Sequence, residues 1–176
     1  MRVTDSEKLL FVMLSSICKK LELQDEIDPN FVISAICNDQ AWALKWKYQG
    51  IFNGSESDIP PVAGEVLDIL DMWDAIERGY EHLSTPEKEK LKEDSGGREV
   101  AFGGFDGNNE AKHYSTLQFI INDLERYSTF KDRDLNTHSG VLAGYQRMLT
   151  EYDKLGGPTL GRLLTASELR SILGAR

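Results

Sequence analysis

The sequence has 176 residues, a formal net charge of −9 and an ordinary apolar share of 40%. That length suits one domain and excludes two large ones, and the acidic balance works against nonspecific binding to a phosphate backbone. No stretch reaches the roughly 18 to 20 consecutive apolar residues of a membrane span, and neither a signal peptide nor a lipidation signal is visible.

Thr4-Asp5-Ser6-Glu7 has the capping-box pattern, in which a threonine hydroxyl and a glutamate carboxylate each satisfy an orphan amide of a first helical turn. Behind it Leu10, Met13, Leu14, Ile17, Cys18 and Leu21 recur at steps of three and four, predicting one buried apolar stripe up to a polar break at Gln24-Asp25-Glu26. Asp28-Pro29 opens a second helix, with an N-cap carboxylate ahead of a proline whose missing amide costs nothing at the first position. Phe31, Val32, Ile36 and Cys37 point inward from it. The chain then either stays helical through Trp42 and Trp46 to Gly50 or breaks near Asn38-Asp39. Asn53 to Asp58 is a loop by composition, and Pro60-Pro61 starts the longest helix. Its inner face is Val66, Ile69, Leu70, Trp73, Ile76, Tyr80 and Leu83; its other side carries Asp68, Asp71, Asp74 and Glu77.

Thr85-Pro86-Glu87 caps a short charged helix that ends near Glu93 and is stopped by Ser95-Gly96-Gly97. Glu99 to Phe102 is the one strand-like piece. Asn108 or Asn109 begins a second long helix, a central element, with Tyr114, Leu117, Ile120, Ile121, Leu124 and Tyr127 as its core stripe. A polar loop runs from Lys131 to Gly140. Val141, Tyr145, Met148, Leu149, Tyr152 and Leu155 mark the next helix, which Gly156-Gly157-Pro158 terminates. Thr165-Ala166-Ser167-Glu168 repeats the capping box, with Leu164 and Leu169 placed as a hydrophobic staple, and the last helix ends at Gly174. The sum is an all-α, compact multi-helix domain of about seven or eight helices over residues 1–176, with at most one short strand-like segment. The helices at about 62–83, 109–128 and 141–155 each carry a full apolar stripe, so they are expected to share one core.

From Val66 onward the sequence resembles the YfbU family of small, mostly helical bacterial proteins. The resemblance is carried by Val66-Leu67-Asp68-Ile69-Leu70-Asp71-Met72, by Gly104-Phe105-Asp106 with Glu110-Ala111, and by Arg126-Tyr127 with Phe130. It continues in Tyr145-Gln146-Arg147-Met148-Leu149 and in Leu164-Thr165-Ala166 with Glu168. Residues 62–176 are the YfbU-like core, residues 1–50 match the family loosely, and Ile51 to Pro61 reads as an insertion. The resemblance implies an all-helical bacterial cytoplasmic protein. It brings no catalytic residue, because the family has no established reaction to carry over.

Two clusters are candidates for a site. Phe102 to Glu110 is a glycine-rich loop entering a helix, where exposed amides can hold an anion. It lacks the Gly-Lys-Ser/Thr ending of a P-loop and the spacing of a dinucleotide fingerprint, and Asp106 reads better as a turn residue that occupies those amides itself. Glu110 and His113 form a Glu-x-x-His pair on one helical face, as di-iron bundles require, but no second pair exists, so no metal and no cofactor is assigned. The second cluster is Arg126, Tyr127, Tyr145 and Arg147, a candidate anion-binding set. On one continuous helix Glu110 and Arg126 stand roughly 24 Å apart, so the two clusters are separate sites. The plainer reading of Arg126 is a cation at a helix C-terminus. The acidic row from Asp68 to Glu77 is ordinarily a solvated face, and Cys18 and Cys37 are ordinarily small buried hydrophobes.

Charge is uneven along the chain. Residues 1–50 hold six basic and seven acidic side chains, residues 51–125 six and seventeen, and residues 126–176 eight and five. With no Ser/His/Asp or Cys/His set to assemble, the sequence points away from an enzyme. The reading it favours is a cytoplasmic helical interaction or regulatory protein, a homo-oligomer whose acidic and basic segments complement each other between subunits, or one that engages another protein. The alternatives are a regulator binding a small anionic ligand or nucleotide at the Arg126 end, and a DNA-binding protein whose N-terminal helices form a helix-turn-helix. Near-zero charge in those helices disfavours the last.

Overall fold

A computed structural model describes residues 3–23, 26–52 and 59–176. Among them are eight α-helices and no strand: α1 (Asp5–Lys20), α2 (Pro29–Cys37), α3 (Trp42–Lys47), α4 (Pro61–Glu81), α5 (Thr85–Asp94), α6 (Ala111–Asn122), α7 (Leu142–Lys154) and α8 (Ala166–Gly174). Single 3-10 turns lie at Ser128–Phe130 and Gly157–Thr159. The expected Asn53–Asp58 loop and most of the Gln24-Asp25-Glu26 break lie outside the described residues.

Local chemistry sets the helix ends. Thr4, Ser84 and Thr165 each close a capping box with the glutamate three positions on, so the fifth helix starts one residue earlier than its Thr85-Pro86 reading. Asp28 accepts from the Asn30 amide at the start of α2. The break near Asn38-Asp39 occurs, with Asp39 at φ +57°, and α3 is a separate short helix. The largest difference is in α6. It spans only Ala111–Asn122, because Glu125 and Tyr127 take left-handed backbone angles and turn the chain away. Glu110 and Arg126 therefore do not share a helix.

α4 is the centre of the body and packs against α6, α7 and α8, while α5 lies on α8. Val66, Ile69, Leu70, Met72, Trp73 and Ile76 of α4 are fully buried, as are Leu117 and Ile120 of α6 and Tyr145 and Met148 of α7. The three long helices do form one core. Between them Trp73, Phe102, Phe105, Phe130 and Tyr145 make a cluster with ring centroids 5.2–6.0 Å apart. The residues expected to be strand-like, Glu99 to Phe102, form no strand; they deliver Val100 and Phe102 into the core. Extended pairing occurs instead at one parallel bridge between Phe105 and Asn136. Its close approach requires Gly104, which has φ +85° and whose added Cβ would stand 1.8 Å from the Leu135 carbonyl oxygen.

The N-terminal helices attach to this body through α6. Phe31 of α2 stacks 5.8 Å from Phe119, Ser34 donates to Asp123, and Gln40 donates to Thr116 at 3.1 Å while accepting from Trp42 at 2.6 Å. α1 packs chiefly on α2.

Candidate functional site

The Asp106 loop is closed upon itself. Asp106 is fully buried; its carboxylate accepts from the Asn108 amide at 2.9 Å and the Asn109 side chain at 2.6 Å. These bonds, the Asn109 one foremost, hold its carboxyl below the usual carboxylate range. Glu110 accepts from the Asp106 amide at 2.9 Å, and its other oxygen accepts from Val141 at 2.8 Å and Leu142 at 2.7 Å. The carboxylate thus sits on the N-terminus of α7 and satisfies two of that helix's orphan amides. His113 turns elsewhere, to Glu65 of α4 at 2.8 Å, and Glu65 also accepts from Gln146 of α7 at 2.7 Å. Burial alone would raise the Glu65 carboxyl, but the bonds from Gln146 and His113 outweigh it and hold it low. Glu110 and His113 therefore tie three helices together through different partners. Among the described residues no group of three or more His, Cys, Asp and Glu is placed to hold a metal ion.

The four residues of the other cluster are also engaged separately. Arg126 is exposed, its guanidinium lies over the Trp46 ring, 5.2 Å from the centroid, and its amide donates to the Ile120 carbonyl at the C-terminal end of α6 at 3.1 Å. Tyr127 donates to Asp71 at 2.6 Å; burial, then that bond, pushes its hydroxyl far above the ordinary value. Tyr145 is fully buried in the aromatic cluster, and burial raises its hydroxyl to about 12. Arg147 donates to the Ala175 and Ala143 carbonyls at 3.0 and 3.1 Å, clamping the end of α8 to α7. Three of the four residues in the acidic row on α4 are engaged as well: Asp71 holds Tyr127, Asp74 pairs with Arg78 at 3.0 Å, and Glu77 takes a two-pronged pair from Arg133 at 2.8 Å together with the Phe102 amide at 2.7 Å.

The exposed large hydrophobic surface is N-terminal. Twelve large hydrophobic residues among those described are exposed, and eleven of them fall within the first 59 residues. Leu9, Leu10, Met13, Leu14, Ile17 and Leu21 are between 48% and 63% exposed, and Val12 is 37% exposed. The expected buried stripe of α1 is thus on the outside, because α1 packs chiefly on α2 and turns Ser15, Phe11 and Cys18 toward it. Beside the stripe runs an apolar cavity of about 400 Å³ lined by Phe11, Leu14, Val32, Leu44, Tyr48 and Phe52, among others. Cys37, expected to face inward, is exposed, Cys18 is half-buried, and both thiols are free. A signal for this surface was present in the sequence: Leu9 to Leu14 is six apolar residues in a row, and no single neighbouring helix covers every side of such a run.

A family model for the YfbU domain matches residues 1–175. The chain belongs to the YfbU family. That match begins at the first residue, so the YfbU domain includes α1–α3 and their apolar surface along with the α4–α8 body. Among curated YfbU-like relatives, the UPF0304 protein MJECS11 of Methanocaldococcus jannaschii is 28% identical over 108 residues, which is 58% of this chain. The matched region spans 62% of that relative's length. No helix among the described residues is long and apolar enough to cross a membrane.

Proposed function

We propose that this YfbU protein is a non-enzymatic helical interaction module that works as a homo-oligomer and docks through the apolar surface of α1–α3. The observation carrying the reading is the concentration of exposed large hydrophobic residues on that one end of the molecule, since contiguous apolar patches on soluble domains are usually interaction sites. Of the candidate polar side chains, Asp106, Glu110, His113, Tyr127 and Arg147 are engaged in turns, helix ends and ties between elements. Part of the charge asymmetry is met within one chain. Arg133 and Arg170 of the basic end pair with Glu77 and Asp94 of the acidic middle within one chain. Free thiols at Cys18 and Cys37 suit a reducing compartment such as the cytoplasm.

Sedimentation over a range of concentrations tests this. The parent protein is expected to self-associate, and a Leu10→Glu/Ile17→Glu double variant to be monomeric with an unchanged helical circular dichroism spectrum, because both residues are already exposed in the protomer. Arg126→Glu and Arg147→Glu should leave association intact. A monomeric parent that binds inorganic phosphate or ATP, with binding abolished by Arg126→Glu, would instead establish the anion-binding regulator.

A further inference from the structure

α1 has acidic side chains in its first turn, Asp5 and Glu7, and basic ones in its last, Lys19 and Lys20. At 3.6 residues per turn, Asp5, Leu9, Ser16 and Lys20 fall within about 60° of one another around the helix axis. That flank borders the exposed row of Met13, Ile17, Leu10, Leu21 and Leu14, while Phe11, Ser15 and Cys18 occupy the side toward α2. The flank is opposite in charge at its two ends, and its midpoint falls between Val12 and Met13, inside the apolar run from Leu9 to Leu14. Neither Asp5 nor Lys20 forms an ion pair with another described residue, whereas Lys8, on the α2 side, is held by Asp39 at 2.9 Å.

We infer that the α1 surface is covered by α1 of a second copy, lying antiparallel across a two-fold axis that passes between Val12 and Met13. This rests on the self-association proposed above and names where it occurs. The antiparallel arrangement sets Asp5 against the partner's Lys20 and Lys20 against the partner's Asp5, and it opposes the two helix dipoles. A parallel pair would bring like charges together at both ends. An isologous contact of this kind closes at two copies. A stable interface takes about 800 Å² from each partner, and Leu23, Ile27 and Ile51, also exposed, extend the apolar surface beyond the one helix face.

Cysteine pairs in the full chain, in a Cys18→Ser/Cys37→Ser background under mild oxidation, test the arrangement. Met13→Cys, beside the axis, is expected to give a disulfide-linked dimer. Lys20→Cys alone is not, since its two copies stand roughly 22 Å apart along the helices. Asp5→Cys mixed with Lys20→Cys should give the mixed dimer. Lys20→Glu should weaken the dimer several-fold, and adding Asp5→Lys should restore it. Self-crosslinking of Lys20→Cys, or a dimer by sedimentation that none of these cysteines traps, would overturn the antiparallel pairing and leave self-association standing. A protein monomeric at every concentration would overturn both.

Discussion

The two ends of this molecule use the same sequence pattern to opposite effect. In the α4–α8 body, apolar residues at steps of three and four are buried to completion: Ile69, Trp73 and Ile76 have no exposed surface. In α1 the same period leaves Leu10, Met13 and Ile17 more than half exposed. The difference is the number of neighbours. α4 has three helices packed against it, so its whole apolar face is covered, while α1 rests chiefly on α2 and has more apolar surface than one contact can take. Periodicity says that a face is apolar; it does not say that the protomer itself provides the cover.

The widest separation between the two regions should appear in truncations. Trp73→Ala is expected to cost about 3–5 kcal/mol in urea unfolding, as large aromatic residues do when a core cavity is left. Leu10→Ala, measured where the protein is monomeric, should change stability by less than about 0.5 kcal/mol. Equal costs would mean that the stripe of α1 is part of the protomer's core. Next in size is Glu77→Gln, which breaks the charged bonds to Arg133 while leaving the Phe102 amide a partner. About 2 kcal/mol is expected from unfolding, and a neutral result would return the acidic row to the status of a solvated face.

Smaller again is the cap of the last helix. Thr165→Ala should cost about 1 kcal/mol. Arg162 and then the Thr165 amide hold the Glu168 carboxyl down to about 2. A carboxyl depressed in the folded state stabilises it fully above the ordinary value of 4.5 and loses that contribution as pH falls toward 2. The melting temperature should therefore drop across that window, and Glu168→Gln should flatten the drop. Asp68 has the opposite sign: burial, then the nearby Asp71, Asp153 and Glu65, raise its carboxyl, so its charged form opposes folding at neutral pH. Asp68→Asn should raise the melting temperature slightly at pH 7, and a fall would show that Asp68 has a stabilising role.

Most of the fold was legible because its signals are local. The two capping boxes at Thr4 and Thr165, the Asp28-Pro29 start and the Gly96-Gly97 stop act within a turn, and α4, whose stripe is complete, needed nothing else. The end of α6 was not legible, because its apolar pattern runs on to Tyr127 while Glu125 and Tyr127 adopt left-handed angles to reach Asp71 and the aromatic cluster, a demand set by distant residues. The candidate polar residues were located, but their partners were not. That Glu110 serves the amides of α7, thirty residues on, and that Arg126 meets Trp46 across the fold, are facts of tertiary packing. The turn role of Asp106 was readable, since its partners Asn108 and Asn109 follow it directly.

Amide hydrogen exchange followed on dilution separates the two regions in one experiment. If the apolar surface of α1 is covered by another copy, amides of residues 9–21 should exchange faster as the protein is diluted, while those of residues 66–76 keep the same rate. Exchange in residues 9–21 that does not change with concentration, at levels spanning those of the sedimentation series, would contradict the account.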